Sequence, residues 1–280
     1  MWGVLLTAIS TFLEELSAAI GKDRVSKKAY SIYTFGWIQS SAAAVFFLAI
    51  ALIKHETFLF SSASLPFFTL RVFLEMVLAH TSRAAITIAD RSTFSFIRVG
   101  TIPLVLGIDW MLGYQLTTYH LAGIGVIIVA LVLVFSRQTI TRAGVGLTVL
   151  STVLAAVTIS LFKYDIAHYN SVVAEQLLVY ICIVGYFTVG SLLRAKERPW
   201  HSLRQPIVIF QAFLSGVTGV VDSFAYVFAP ASVIIAARRS SAVLWSIATG
   251  RFYFKEINVV FKVCIASILI GGIILLTWSL

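Results

Sequence analysis

The feature that most constrains this chain is that its apolar, membrane-length segments are written twice. Gly3-Val4-Leu5-Leu6-Thr7-Ala8-Ile9-Ser10-Thr11 reappears as Gly144-Val145-Gly146-Leu147-Thr148-Val149-Leu150-Ser151-Thr152, and at the same spacing Lys22 falls on Lys163. Each half has room for five hydrophobic helices. Because five is odd, the second copy is expected to sit upside down relative to the first. The spacing predicts an all-α integral membrane protein of ten transmembrane helices. Its halves, 1–140 and 141–280, form two inverted five-helix repeats in one compact membrane domain.

Composition agrees. Hydrophobic residues make up 59% of the 280 and charged residues 12%, against roughly 25% charged in a soluble domain. The formal charge of +9 would suit a nucleic-acid binder, but the basic residues cluster between apolar runs, as in a membrane protein. No nucleic-acid partner is expected, and the lipid bilayer is. Cys182 and Cys264 lie in apolar runs without disulfide or metal spacing and read as buried thiols. The run from Met1 lacks a basic start and is interrupted by Glu14 and Glu15, so it reads as a retained membrane helix, not a cleaved signal.

A helix needs about 20 apolar residues to cross the hydrocarbon core. On that ruler helices fall at 2–21, 31–53, 66–87, 92–112, 118–136, 143–163, 172–193, 206–227, 231–250 and 257–279. A β-barrel would need alternating segments of about ten residues, and the runs here are continuous. Connections after the odd-numbered helices hold Lys22, Arg24, Lys27, Lys28, Arg91, Arg137, Arg142, Arg194, Lys196, Arg198, Arg204, Arg251 and Lys255. The opposite face holds Lys54 and Lys163. Basic residues stay on the cytoplasmic side, so this asymmetry puts both termini outside.

The five-plus-five layout resembles the EamA-like branch of the drug/metabolite transporter superfamily. That branch ends the fourth helix of each half with a small residue and Glu, then opens a fifth helix containing Gly. Here the second half shows Phe254-Lys255-Glu256 and later Gly271-Gly272, and the first shows Gly113-Tyr114-Gln115, then Gly123 and Gly125, without the Glu. The resemblance implies cytoplasmic termini, opposite to the charge asymmetry. Glu14 with Lys22 eight residues later is also similar to the small multidrug resistance proteins, whose first helix carries an essential membrane Glu. At the repeat spacing the second half has Ala155 and Ala156 in place of the Glu pair.

An ionisable group inside a bilayer helix costs about 2.5–3.5 kcal/mol on insertion scales and demands a reason. Glu14 and Glu15 sit near the middle of the first helix and point about 100 degrees apart, so at most one faces a central cavity. Either one holds a coupling proton or cation, or it pairs with a neighbouring Arg. Arg98 and Arg239 are repeat mates, with Arg238 adjacent. They form an anion clamp, or are neutralised by Glu14, Glu15 or Asp222. Asp222 follows the small-residue stretch Ser215-Gly216-Val217-Thr218-Gly219, which lets helices approach closely. Gln39, with Ser40 and Ser41, places uncharged hydrogen-bonding groups in the second helix. Arg71 and Glu75, four apart, suit an internal ion pair. Pro103 should bend the fourth helix. Trp2, Trp110, Trp200 and Trp278 read as interfacial anchors, and Lys262 snorkels.

No phosphate-binding loop or His-Glu-x-x-His pair occurs, so no enzyme, cofactor or metal is expected. His80, His120 and His168 are scattered and suit local hydrogen bonds. The expectation is a secondary transporter of a small polar or amphipathic metabolite or drug-like compound in a bacterial plasma membrane. It works by alternating access, as monomer or homodimer. Substrate contacts are Arg98, Arg238, Arg239, Gln39 and Asp222, and proton or cation coupling falls to Glu14 and Glu15. Alternatives are an exchanger of phosphorylated or nucleotide sugars, and a non-transporting assembly or lipid-handling subunit.

Overall fold

The structure is a computed structural model and describes residues 2–54, 57–89, 94, 97–135, 142–254 and 259–278. Arg91, Arg137, Lys255 and Glu256 lie outside the described residues, as do the side chains of Arg251, Lys262 and Trp278. Among the described residues the chain is helical, without strands. The helices are α1 (Trp2–Ser26), α2 (Ile32–Ile53), α3 (Leu65–Ile88), α4 (Thr101–Met111), α5 (Thr118–Phe135), α6 (Val145–His168), α7 (Val172–Leu193), α8 (Pro206–Ala225), α9 (Ala231–Phe254) and α10 (Val259–Trp278). Short 3-10 turns precede α3 and α8. Six of the described helices, α1, α2, α3, α6, α7 and α8, are long and apolar enough to cross a membrane.

Polarity runs from outside in, the reverse of a water-soluble bundle. Helix α1 buries Gly3, Thr7, Ser10, Ser17 and Gly21 and turns Leu5, Ile9 and Leu16 outward. Lipid is as apolar as leucine, so small and hydroxylated residues line the contacts where helix backbones come close. The hydroxyls bond within their own helix: Thr7 to the Gly3 carbonyl at 2.8 Å, Ser10 to Thr7 at 3.0 Å and Thr11 to Thr7 at 2.6 Å. Helix α6 repeats the set with Thr148 to Gly144 at 2.8 Å, Ser151 to Thr148 at 2.9 Å and Thr152 to Thr148 at 2.7 Å. The duplicated sequence thus builds duplicated local structure.

Both helices outrun the apolar ruler by five residues, α1 ending at Ser26 and α6 at His168. Hydropathy marks where lipid ends, not where backbone hydrogen bonding ends. The last turn of α1 is supported by the Lys27–Asp23 ion pair at 2.9 Å. Lys22 Nζ donates to the Ala89 carbonyl, the C-cap of α3, at 3.2 Å. Its repeat mate Lys163 donates to the Tyr226 carbonyl, the C-cap of α8, at 2.6 Å. A cation at a helix C-terminus meets the negative end of the helix dipole.

These contacts fix direction. Gly3 lies against the Ala225 carbonyl and Phe228, beside the cap that Lys163 reaches, while Gly144 lies against Ala89, the cap that Lys22 reaches. Helices α1 and α6 therefore run antiparallel, each starting where the other ends. Helix α1 packs on α8 and α9, and α6 packs on α3 and α4. The pairs α2–α7 and α5–α10 join the halves. At the α5–α10 crossing a Cβ on Gly123 would stand 3.0 Å from the Gly272 carbonyl oxygen, so these backbones touch because neither residue has a side chain.

Apart from Lys54, the described basic residues of the connections, among them Arg24, Lys28, Arg142 and Arg194, gather at the end where α1 finishes. The α7–α8 connection is clamped there: Glu197 accepts from Ser31 N at 3.0 Å, Ser31 Oγ at 2.8 Å and Thr34 Oγ1 at 2.6 Å. Helix α4 begins at Thr101 after a break at Gly100. Pro103 has no amide to give the Val99 carbonyl, which accounts for a break one turn upstream. Trp2, Trp110 and Trp200 are exposed near helix ends. Cys182 and Cys264 are free and exposed, not buried. An apolar run does not distinguish a core-facing position from a lipid-facing one.

Candidate functional site

The inward stripe of α1, at residues 3, 7, 10, 17 and 21, advances by three and four and passes through position 14. That periodicity turns Glu14 toward the other helices, with Glu15 the next residue round. Glu14 Oε2 meets Arg238 Nη2 at 2.6 Å, and the other arm of the same guanidinium meets Asp222 Oδ2 at 2.7 Å. One arginine on α9 thus clamps acids from α1 and α8. Asp222 also accepts from Ser10 Oγ at 3.3 Å.

Arg98 and Arg239 lie in the same field. Both act electrostatically on Glu14 alongside Arg238. Neither has a carboxylate partner among the described residues. Arg98 donates to the Ser151 carbonyl of α6 at 3.0 Å and sits 5.7 Å from the Phe94 ring centroid. Arg239 reaches Thr101 Oγ1 at 3.5 Å, and that hydroxyl donates to the Arg98 carbonyl. The repeat mates are therefore joined through Thr101. Nε of each lacks a hydrogen-bond partner among the described residues. Three guanidiniums face two carboxylates here. Arg83 and Glu75 on α3 add one charge of each sign within electrostatic range, and Glu15 stands next to Glu14 on α1.

The centre is partly open. The Glu14 side chain is 44% accessible although it stands midway along α1, while Arg238 is 18% and Asp222 15% accessible. Trp245 ties α9 to α1, donating to the Ala8 carbonyl at 2.9 Å with its ring 4.7 Å from that of Phe12. An anion entering here meets two guanidiniums that bond no carboxylate among the described residues. It also meets a third whose carboxylates it can displace.

Gln39 stands apart from this cluster, donating to Ser17 Oγ at 3.4 Å. Ser17 in turn bonds Ser215 at 2.6 Å, so Gln39 ties α2 to α1 and α8. The small stretch before Asp222 does bring helices close: a Cβ on Gly216 would overlap Phe46 at 2.6 Å. His80 pairs with Tyr186 at 3.0 Å, and His168 with the Tyr164 carbonyl at 2.9 Å.

The expected Arg71–Glu75 pair is not formed. Arg71 donates to Glu175 on α7 at 2.6 Å and to Gln176 at 2.9 Å. A helical neighbour four residues away offers a solvent-exposed contact of a few tenths of a kcal/mol. A carboxylate in the dry interior offers a much stronger one. Arg83, Asp165 and Glu175 went unread in the sequence. Arg83 interrupts an apolar run, the same signal that marked Arg98. Asp165 falls just past the 20-residue ruler.

No family model and no curated protein matches the chain. A solved crystal structure of a protein matches it end to end, covering 99% of each chain with a TM-score of 0.74 at 12% sequence identity. At that identity the likeness concerns the fold alone.

Proposed function

We propose that this chain is a secondary active transporter of a small polar or amphipathic metabolite, working by alternating access across a bacterial plasma membrane. In this reading the ten helices all span the bilayer as two inverted five-helix halves, on the plan of the EamA-like drug/metabolite transporters. Support for the inversion comes from antiparallel α1 and α6, their matching hydroxyl bonds, and lysine caps at opposite ends. Support for that branch comes from the layout and the glycine crossing of α5 and α10. The charge asymmetry places both termini outside.

The observation that carries the reading is a pair of guanidiniums, Arg98 and Arg239, bonded to no carboxylate among the described residues, beside a carboxylate left 44% open in mid-helix. A structural ion pair would be closed and balanced. Glu14 and Asp222 share Arg238. Protonating Glu14 leaves that arginine to Asp222 alone and frees one arm for an anionic group of the substrate. Arg98 and Arg239 hold the same anion, and an ionised Glu14 holds a cationic end, so a zwitterion suits the site. A non-transporting subunit has no use for such an opening.

The test is flux in proteoliposomes. Glu14→Gln is expected to abolish pH-driven uptake, and Arg98→Gln or Arg239→Gln to weaken substrate binding. Unchanged pH-driven flux in Glu14→Gln removes the coupling role. Two arginines that bond no acid among the described residues also favour a second reading, exchange of phosphorylated or nucleotide sugars. In that case both Arg replacements abolish exchange and Glu14→Gln is tolerated.

A further inference from the structure

A second set of ionisable groups lies between α3, α6 and α7, toward the end of the bundle where α1 begins. Arg71 is 4% and Glu175 0% accessible. Glu175 takes Arg71 on one oxygen and Asn170 Nδ2 on the other, both at 2.6 Å. Gln176 accepts from Arg71 and donates to Ser223 at 2.6 Å. Asn170 completes the ring with Ser64 Oγ at 3.0 Å. Apart from the Arg71 Nε, which lacks a partner among the described residues, the members of this network have their bonds, and Arg71 balances Glu175.

Asp165 is the exception. It is fully buried beside Glu175, and neither of its carboxylate oxygens has a hydrogen-bond partner among the described residues. Two ionised carboxylates have only acceptors to offer each other. An ionised, unpartnered carboxylate in a dry interior costs far more than these helices can offset. One added proton resolves both problems. It supplies an O–H that donates to Glu175 and removes the unbalanced charge.

We infer that Asp165 is a proton-binding site: its carboxyl carries a resident proton that bridges to Glu175 and completes the Arg71 network. The charged and titratable groups around it are Arg71 from α3 and Glu175 from α7. Asp109 on α4, Tyr169 in the connection, and Lys163, Tyr164 and His168 on α6 complete the set. The first two turns of α9, Ala231 to Ala237, bring none. Lys163 is committed to the Tyr226 carbonyl, and Asp109 accepts from Ser232 N at 2.8 Å. Neither neutralises Asp165. The site is separate from Glu14 and holds whether or not the chain is a transporter.

Infrared spectroscopy of the purified full-length protein at neutral pH tests this. A buried protonated carboxyl gives a C=O stretch well separated from ionised carboxylate and amide bands. The expected result is such a band that Asp165→Asn removes and that Glu14→Gln and Asp222→Asn leave in place. The asparagine variant is isosteric with the protonated acid and is expected to fold. Should it fail to accumulate, Asp109→Asn protein grown with 13C-labelled aspartate decides the matter, because the band must persist without Asp109, whose Oδ1 is also unpartnered among the described residues, and shift down. A spectrum without the band, a band indifferent to Asp165→Asn, or a band unmoved by the label overturns the inference.

Discussion

The two charged clusters of this bundle contain the same chemistry and differ in what surrounds it. Around Arg71 a guanidinium, a carboxylate and two amides bond one another at 0–9% accessibility, with only the Arg71 Nε left over, and the proposed proton on Asp165 removes an unbalanced charge. Around Arg238 the acids are clamped at similar distances, yet Glu14 stays 44% open and two further arginines lack acid partners among the described residues. A buried ion pair alone says little about function, since structure and recognition both use it. Balance and dryness separate the cases. A closed, dry network holds helices together, and an open cluster with guanidiniums not bonded to acids among the described residues is poised for a ligand.

The sharpest way to break the contrast is to remove the arginine from each cluster. Arg71→Ala strands Glu175 in a dry site and is expected to cost about 3–5 kcal/mol of stability, read as a large drop in the thermal midpoint and in folded yield. If Arg71→Ala melts like the unmutated protein, the α3–α7 network is not structural. Arg98→Gln and Arg239→Gln should leave the midpoint nearly unchanged. Each should weaken an anionic ligand by about 2 kcal/mol, roughly thirtyfold, as read by titration in detergent. A large loss of stability without an effect on binding would reverse the assignment of that cluster.

Glu14→Gln comes next. Glutamine keeps the oxygen that accepts from Arg238, and the expected stability change is about 1 kcal/mol or less. Coupling of flux to a pH gradient is the quantity that should disappear. The smallest effects belong to the lysine caps. Lys22→Met and Lys163→Met are each expected to cost about 0.3–1 kcal/mol. Similar shifts in the two variants sharpen the case for equivalent halves, and a cost confined to one of them breaks it.

Much of this architecture was legible in the sequence. Apolar runs located the helices, and the copied segment at Gly3 and Gly144 foretold matching helices α1 and α6. The convergence of Glu14, Asp222, Arg98, Arg238 and Arg239 followed from rarity, because an ion inside lipid needs a partner. What stayed hidden was partner choice. Arg71 passes over Glu75, four residues away, for Glu175, 104 positions off, and no local pattern encodes that selection. Asp165 was lost because hydropathy reports the edge of lipid while α6 continues past it. The outward placement of Cys182 was illegible because lipid and protein core prefer the same residues.

The packing of α1 against α8 and α9 has a consequence for biogenesis. Glu14 is made 224 residues before Arg238. At synthesis rates of about 5–20 residues per second, the first helix spends roughly ten to forty-five seconds in the bilayer before its counter-ion emerges. During that interval the acid must stay protonated, borrow a cation or be sheltered by an insertion factor. A chain truncated after its first half never receives the surfaces that α1 is shaped to meet, and should be cleared by quality-control proteases.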